Sequence, residues 1–309
     1  MSSSNLKVGC FWLLVVCLNA VPLPAYAANT TSELGVSPAF EEVQLKEGQK
    51  EVGGSLLVTN NTARSTTLAV SVIDLGSLQA SAGQPFLGGG ELSNNMYGLS
   101  RWVHFTKQAV TVPARSSQVV TYTIQDDPSL LAGGHYGAIL FKSPTTGSSA
   151  IGAAIQPIVS SLILFEKNGI GEQRTIALTH FSYVRYWFNM PNTVLVAFKN
   201  TGNVHVSPHG LIILNDPFGH EVSRGVVNAD SSIILPGSSR EYQTALGTSK
   251  YVFVPGIYTL ALDYRTNGNE QPVHSEVHFL YISPLAIGVG VLVFAICVFV
   301  YKKRLLKRK

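Results

Sequence analysis

The chain has 309 residues; 46% are hydrophobic and only 13% charged, with a mean hydropathy of +0.22. That charged share is about half the ~25% of ordinary globular proteins, so apolar surface is ample to offset chain entropy and intrinsic disorder is excluded. The formal charge of +4 sits at the ends: with Lys7 and the six basic residues after Tyr301 set aside, fifteen basic groups face eighteen acidic ones, and no basic footprint for nucleic acid remains.

Residues 1–27 read as a secretory signal. Lys7 supplies the charged start, an apolar run follows from about Cys10 to Leu18, and Ala25-Tyr26-Ala27 is a small-residue site for cleavage between Ala27 and Ala28. The run is too short to span a membrane, and Pro22 and Pro24 break any helix beyond it. Cys10 and Cys17 lie in this signal and Cys297 near the other end. The mature outer portion thus has no cysteine for a disulfide, a nucleophile or a thiolate metal site, and its stability rests on its hydrophobic core.

From Ser32 to Tyr281 short β-rich runs alternate with Gly, Asn, Pro and Ser clusters, and several keep period two, as in Leu68, Val70, Val72 and Val120, Tyr122, Ile124. An internal repeat runs through them: SLLVTNNTARS and VLVAFKNTGNVHVSP, then VTVPARSSQVVTYTI and IILPGSSREYQTAL, then LLAGGHYGAILF and VFVPGIYTLALDY. The expected fold is all-β: two immunoglobulin-like sandwiches in tandem, the first over 33–167 and the second over 172–280, divided at Asn168–Glu172. Leu75–Leu99, rich in Gly, Ser and Asn, is too long for a tight turn and is either a functional or a mobile loop.

Residues 282–301 carry no charge and, at 1.5 Å per residue, match the ~30 Å hydrocarbon thickness as one transmembrane helix. The tail 302–309 follows with Lys302, Lys303, Arg304, Lys307, Arg308 and Lys309, and the positive-inside rule places it in the cytoplasm. The expected localisation is a cell membrane, crossed once, with the N-terminal bulk outside and the first sandwich distal.

The chemistry is sparse. No G-x-S-x-G, H-E-x-x-H or S-x-x-K motif occurs, and no phosphate loop precedes a helix. Asp126–Asp127 and Glu41–Glu42 are adjacent and point to opposite faces of a strand. His205 with His209, and His274 with His278, are spaced by four, about 13 Å along a strand, too far to share one ion without a bend. No cofactor, metal site or catalytic residue is expected. The segment 180–192, HFSYVRYWFNMPN, offers Tyr183, Arg185, Tyr186 and Trp187 as partner-binding residues, because a sandwich strand buries only one face and exposed Tyr and Trp favour contact. Cover by a neighbouring domain or by headgroups is the other reading of the same residues.

The order of parts resembles the Gram-positive cell-surface proteins that interact with WxL proteins, which join a peptidoglycan-binding-like sandwich, a host-binding sandwich, one span and a basic tail. The likeness is carried by 110–141, by KNTGNVHVSPHGLIIL at 199–214 and by 284–309. The first-domain pattern also looks like the PapD-like pilus-chaperone sandwich. The WxL-interacting resemblance implies a surface adhesion or scaffold role. The function expected here is therefore non-enzymatic, an anchored scaffold presenting two sandwiches to a surface protein or cell-wall polymer. One alternative is a membrane-tethered chaperone for secreted β-subunits, which needs an open edge strand and apolar pockets at alternate positions, with Pro157–Phe165 as a candidate. A further alternative, an exported hydrolase, needs Ser, His and Asp to converge in one cleft.

Overall fold

The structure is a computed structural model and describes residues 33–75, 96–143, 157–184, 190–247, 254–267 and 271–306. The signal with Ala27 and Ala28, most of the 75–99 loop, Arg185, Tyr186, Trp187 and the last three basic residues lie outside them. The fold is all-β with one C-terminal helix.

The first nine strands are β1 Leu34–Ser37, β2 Phe40–Leu45, β3 Glu51–Asn60, β4 Thr66–Asp74, β5 Val103–Phe105, β6 Ala109–Val112, β7 Ser116–Gln125, β8 Gly133–Lys142 and β9 Ile158–Lys167. They form two sheets, ordered β1-β3-β7-β5 and β2-β9-β8-β4-β6. The period-two pattern explains how they meet. Leu68 and Val70 on β4 and Val120, Tyr122 and Ile124 on β7 all turn into one core with Leu56, Phe141 and Phe165. Val119, next to core Val120, is exposed on the outer face.

Seven more strands follow: β10 Ile176–Tyr183, β11 Thr193–Asn200, β12 Pro208–Asn215, β13 Glu221–Val227, β14 Ser239–Ala245, β15 Gly256–Thr266 and β16 Val273–Tyr281. Their sheets run β10-β11-β14 and β13-β12-β15-β16. They enclose a second core around Val196, Phe198, Ile212, Tyr258 and Leu262. Position by position the topology repeats the first: β3, β4, β7, β8 and β9 correspond to β11, β12, β14, β15 and β16. After β16, α1 Pro284–Leu306 is long and apolar enough to cross a membrane.

β8 departs from alternation, because it is buried on both faces. One face lies in the first core. The other, with Tyr136, Ala138 and Leu140, packs with Leu164 of β9, Leu75 and Tyr97, and with Ile233 and Leu235 of the second sandwich. Two glycines at its start let the chains approach. The Gly134 N–H donates to the Asn203 carbonyl at 2.8 Å. A Cβ on Gly133, at φ +132°, would meet Asn203 at 3.0 Å in a conformation that side-chain-bearing residues rarely adopt.

Candidate strand-binding edge and the polar cluster below it

β9 has unequal neighbours. On one side β8 pairs along its whole length, from Lys142↔Ile158 to Gly133↔Lys167. On the other side β2 runs parallel and begins only at Phe40↔Leu162. The Leu162 N–H donates to the Ala39 carbonyl at 3.0 Å, while the Pro157 carbonyl accepts from the Ser143 N–H on the β8 side. Main-chain groups alternate sides along a strand, so Ile158 and Ser160 direct their N–H and C=O groups past the end of β2. Among the described residues nothing pairs with them there.

Apart from Ser160, the side chains at this gap are apolar. Ile158, 50% exposed, Leu162 and Leu164 share the outer face of β9, and exposed Phe40 stands beside Leu162 on β2. The opposite end of the same row is ionic. Buried Glu166 pairs with Arg174 and accepts hydrogen bonds from Gln44 and Asn168, both 3.2 Å. Arg174 also donates to Glu172 at 3.0 Å. Burial pulls the Arg174 pKa down, but the bonds and charges of Glu166 and Glu172 outweigh it and the net shift is upward. Arg174 therefore stays charged, and the cluster fastens β9 to the segment that leads into β10.

A second polar contact joins the sandwiches. The Tyr136 hydroxyl lies 3.4 Å from His205 Nδ1, and His205 Nε2 lies 3.9 Å from a Glu42 carboxylate oxygen. Burial pushes the His205 pKa down to about 4, against the pull of Glu42, so the imidazole is neutral at neutral pH. Burial also keeps the Tyr136 hydroxyl protonated. Sequence reasoning found neither this pair nor the Glu166–Arg174 cluster, since nothing local marks contacts between residues so far apart in the chain.

The residues singled out from sequence are dispersed. Tyr183 packs inward, half-buried against the second core, its ring centroid 4.8 Å from that of Phe279. His205 is buried at Tyr136 while His209 lies opposite Arg265 on β12. His274 bridges Asp263 at 2.7 Å and Glu276 at 2.9 Å on an exposed face. Among the described residues no group of three or more His, Cys, Asp or Glu is arranged to hold a metal. Glu41 and Glu42 do face opposite ways, the first accepting from the Tyr122 hydroxyl at 2.9 Å and the second toward His205. Asp127 accepts from Ser129 and ends its strand in a turn.

No family model matches this chain and no curated protein matches it, so the WxL-interacting resemblance gains no support. Several solved structures are similar to it. The Class 5 fimbriae chaperone CfaA shares 15% identity over 81% of this chain and 99% of that one, with a TM-score of 0.40. The E. coli chaperone DraB shares 12% over 79% and 95%, at 0.35. The Pseudomonas aeruginosa CupB2 chaperone shares 11% over 78% and 97%, at 0.33. These are chaperones of the group that the PapD-like resemblance names.

Proposed function

We propose that this chain is a membrane-tethered, non-enzymatic protein that holds an extended segment of an exported partner at the free end of β9, acting as a docking chaperone. The observation that carries the reading is the pairing of β2 with Leu162–Lys167 alone, which leaves the main-chain groups of Ile158 and Ser160 without a partner among the described residues, beside Ile158, Leu162 and Phe40. The edge strand β16 is blunted by charge, with His274, Glu276 and His278. The gap on β9 is not.

The energetics fit a reversible grip. Four main-chain bonds contribute about 2 to 6 kcal/mol at about 0.5–1.5 kcal/mol each. Covering an exposed Ile or Phe fully adds about 1.5–3 kcal/mol per side chain. Association and ordering cost about 4–15 kcal/mol, so binding is weak unless further contacts form. A segment with apolar residues at alternate positions suits both the bonds and the outer face. The signal at 1–27, the span at 282–301 and the basic residues beyond it hold the two domains outside the membrane and the tail in the cytoplasm. The adhesion reading rests on the WxL-interacting resemblance and on Tyr183, Arg185, Tyr186 and Trp187, and no described geometry favours it over the β9 edge.

The test uses the full chain in nanodiscs and fluorescent eight-residue peptides that alternate Val or Ile with Thr. Saturable binding, abolished by N-methylation of every second peptide amide, is the expected result. Absence of binding, or equal binding by the methylated peptide, defeats the strand-capture reading.

A further inference from the structure

At the opposite end of the second sandwich, where the chain leaves for α1, apolar side chains gather in the open. Phe218 is 70% exposed, Ile257 61% and Leu280 59%, and Val254 and Ile282 are exposed as well. Scattered exposed apolar residues are ordinary, but a cluster at one end marks an interaction surface. These are neighbours. Ile257 and Leu280 are direct cross-strand partners, and Gly256 pairs with Tyr281 one step nearer the helix. A Cβ on Gly256 would come to 2.5 Å from Pro217, so the turn that carries Phe218 sits against this same level.

The turn is built to present its aromatic ring. The Asp216 carboxylate accepts the N–H groups of Phe218 at 2.9 Å and His220 at 2.8 Å. Its charge is thus turned to its own backbone and to the His220 ring, 3.3 Å away, while Phe218 stands outward. Along the outer face of β15 and β16 polarity then rises with distance from α1. The pair Ile257–Leu280 gives way to Thr259–His278, then Ala261–Glu276, then the ion pair Asp263–His274. From Leu280 to His274 the strand rises about 20 Å.

The helix length says what meets the apolar end. Pro284 to Tyr301, before the first Lys, rises about 27 Å against the ~30 Å hydrocarbon thickness. The apolar boundary therefore falls near Ile282, and the headgroup layer, about 5–8 Å deep on each side, reaches toward Leu280 and the Phe218 turn. We infer that this end of the second sandwich is seated in the lipid headgroups, with Phe218, Ile257 and Leu280 as its contacts and the ionic end of the same face in water. The inference goes beyond strand capture and rests only on the reading of α1 as a span.

The experiment introduces Phe218→Trp into the full chain, reconstituted in phosphatidylcholine vesicles with or without bromine near the glycerol end of the acyl chains. The expected result is a loss of the added emission in brominated lipid, above the quenching of the chain's own Trp residues, and no such loss for His274→Trp. Unquenched Phe218→Trp overturns the seating, whether a second copy or bare water covers the ring. Equal quenching of His274→Trp also overturns it, since the polarity gradient then has no bearing on depth. Alkaline carbonate separates the two readings: chain retained in the vesicles but unquenched defeats the seating alone, and chain released defeats the span as well.

Discussion

Asn60 and Asn200 are structural counterparts. Each closes its strand, β3 or β11, and each is fully buried. The Asn60 amide donates to the carbonyls of Arg64 at 2.7 Å and Val112 at 3.1 Å and accepts the Thr62 N–H at 3.0 Å. The Asn200 amide donates to Val204 and Ile234, both at 2.8 Å, and accepts the Gly202 N–H at 2.9 Å. One amide therefore fixes the bend after the strand and ties it to the residue that leads into the next proline, in both sandwiches. Replacing either by Ala strands buried carbonyls and an N–H, at a cost of about 2–4 kcal/mol. The check is the urea midpoint of Asn60→Ala and Asn200→Ala, and a shift equivalent to under about 0.5 kcal/mol in either removes the role assigned to it.

That pair also shows what the sequence carries and what it does not. The Asn repeat is legible because part of its bonding is local, reaching residues two and four ahead, while the bonds to Val112 and Ile234 leave no local mark. The glycine-tyrosine repeat misleads: Tyr258 turns into the second core, whereas Tyr136 turns outward to His205, so equal spacing conceals opposite faces. Alternation located the inward residues of β4 and β7, since each of those strands has one wet face. It is silent on β8, whose outer face is covered by Ile233 and Leu235 of the other sandwich. The apolar run marks Pro157–Phe165 as a candidate for the proposed edge. The reason it is open lies in where the distant strand β2 starts, which no local pattern encodes.

Ser160→Pro probes the β9 edge without touching its ladder. The Ser160 N–H points away from β8, and proline is tolerated where the amide faces solvent. Peptide binding to the full chain should fall about tenfold, the equivalent of ~1.4 kcal/mol for one lost main-chain bond and the local ring clash. The melting temperature should stay within a degree or two of the parent, because the β8 pairing is kept. Unchanged peptide affinity shows that the partner strand lies elsewhere.

Tyr183→Ala separates packing from partner contact in the aromatic segment. Its ring lies tilted against Phe279 and lines the second core, so truncation should destabilise the fold by about 2–3 kcal/mol, below the ~3–5 kcal/mol of a fully buried aromatic. Tyr183→Phe should retain most of that stability. A Tyr183→Ala protein that unfolds like the parent places the ring outside the core and returns it to the partner-binding set with Arg185, Tyr186 and Trp187.

His205 makes the joint between the sandwiches sensitive to acid. Its folded pKa, about 4 through burial, lies below the ordinary value near 6.5, so the unfolded chain binds a proton more readily between those limits. Stability from the buried neutral ring is fully present above about pH 6.5 and is lost as pH falls toward 4, up to about 3 kcal/mol at 1.36 kcal/mol per unit. His135, also pushed down by burial, acts in the same direction, and exposed His274, raised by Asp263 and Glu276, acts in the opposite one. Both are unchanged in His205→Gln, which keeps a polar group near Tyr136 but does not titrate. Urea midpoints at pH 7 and pH 4.5 should fall further in the parent than in the variant. Equal falls in the two proteins place the acid sensitivity elsewhere and leave the Tyr136–His205 contact as packing alone.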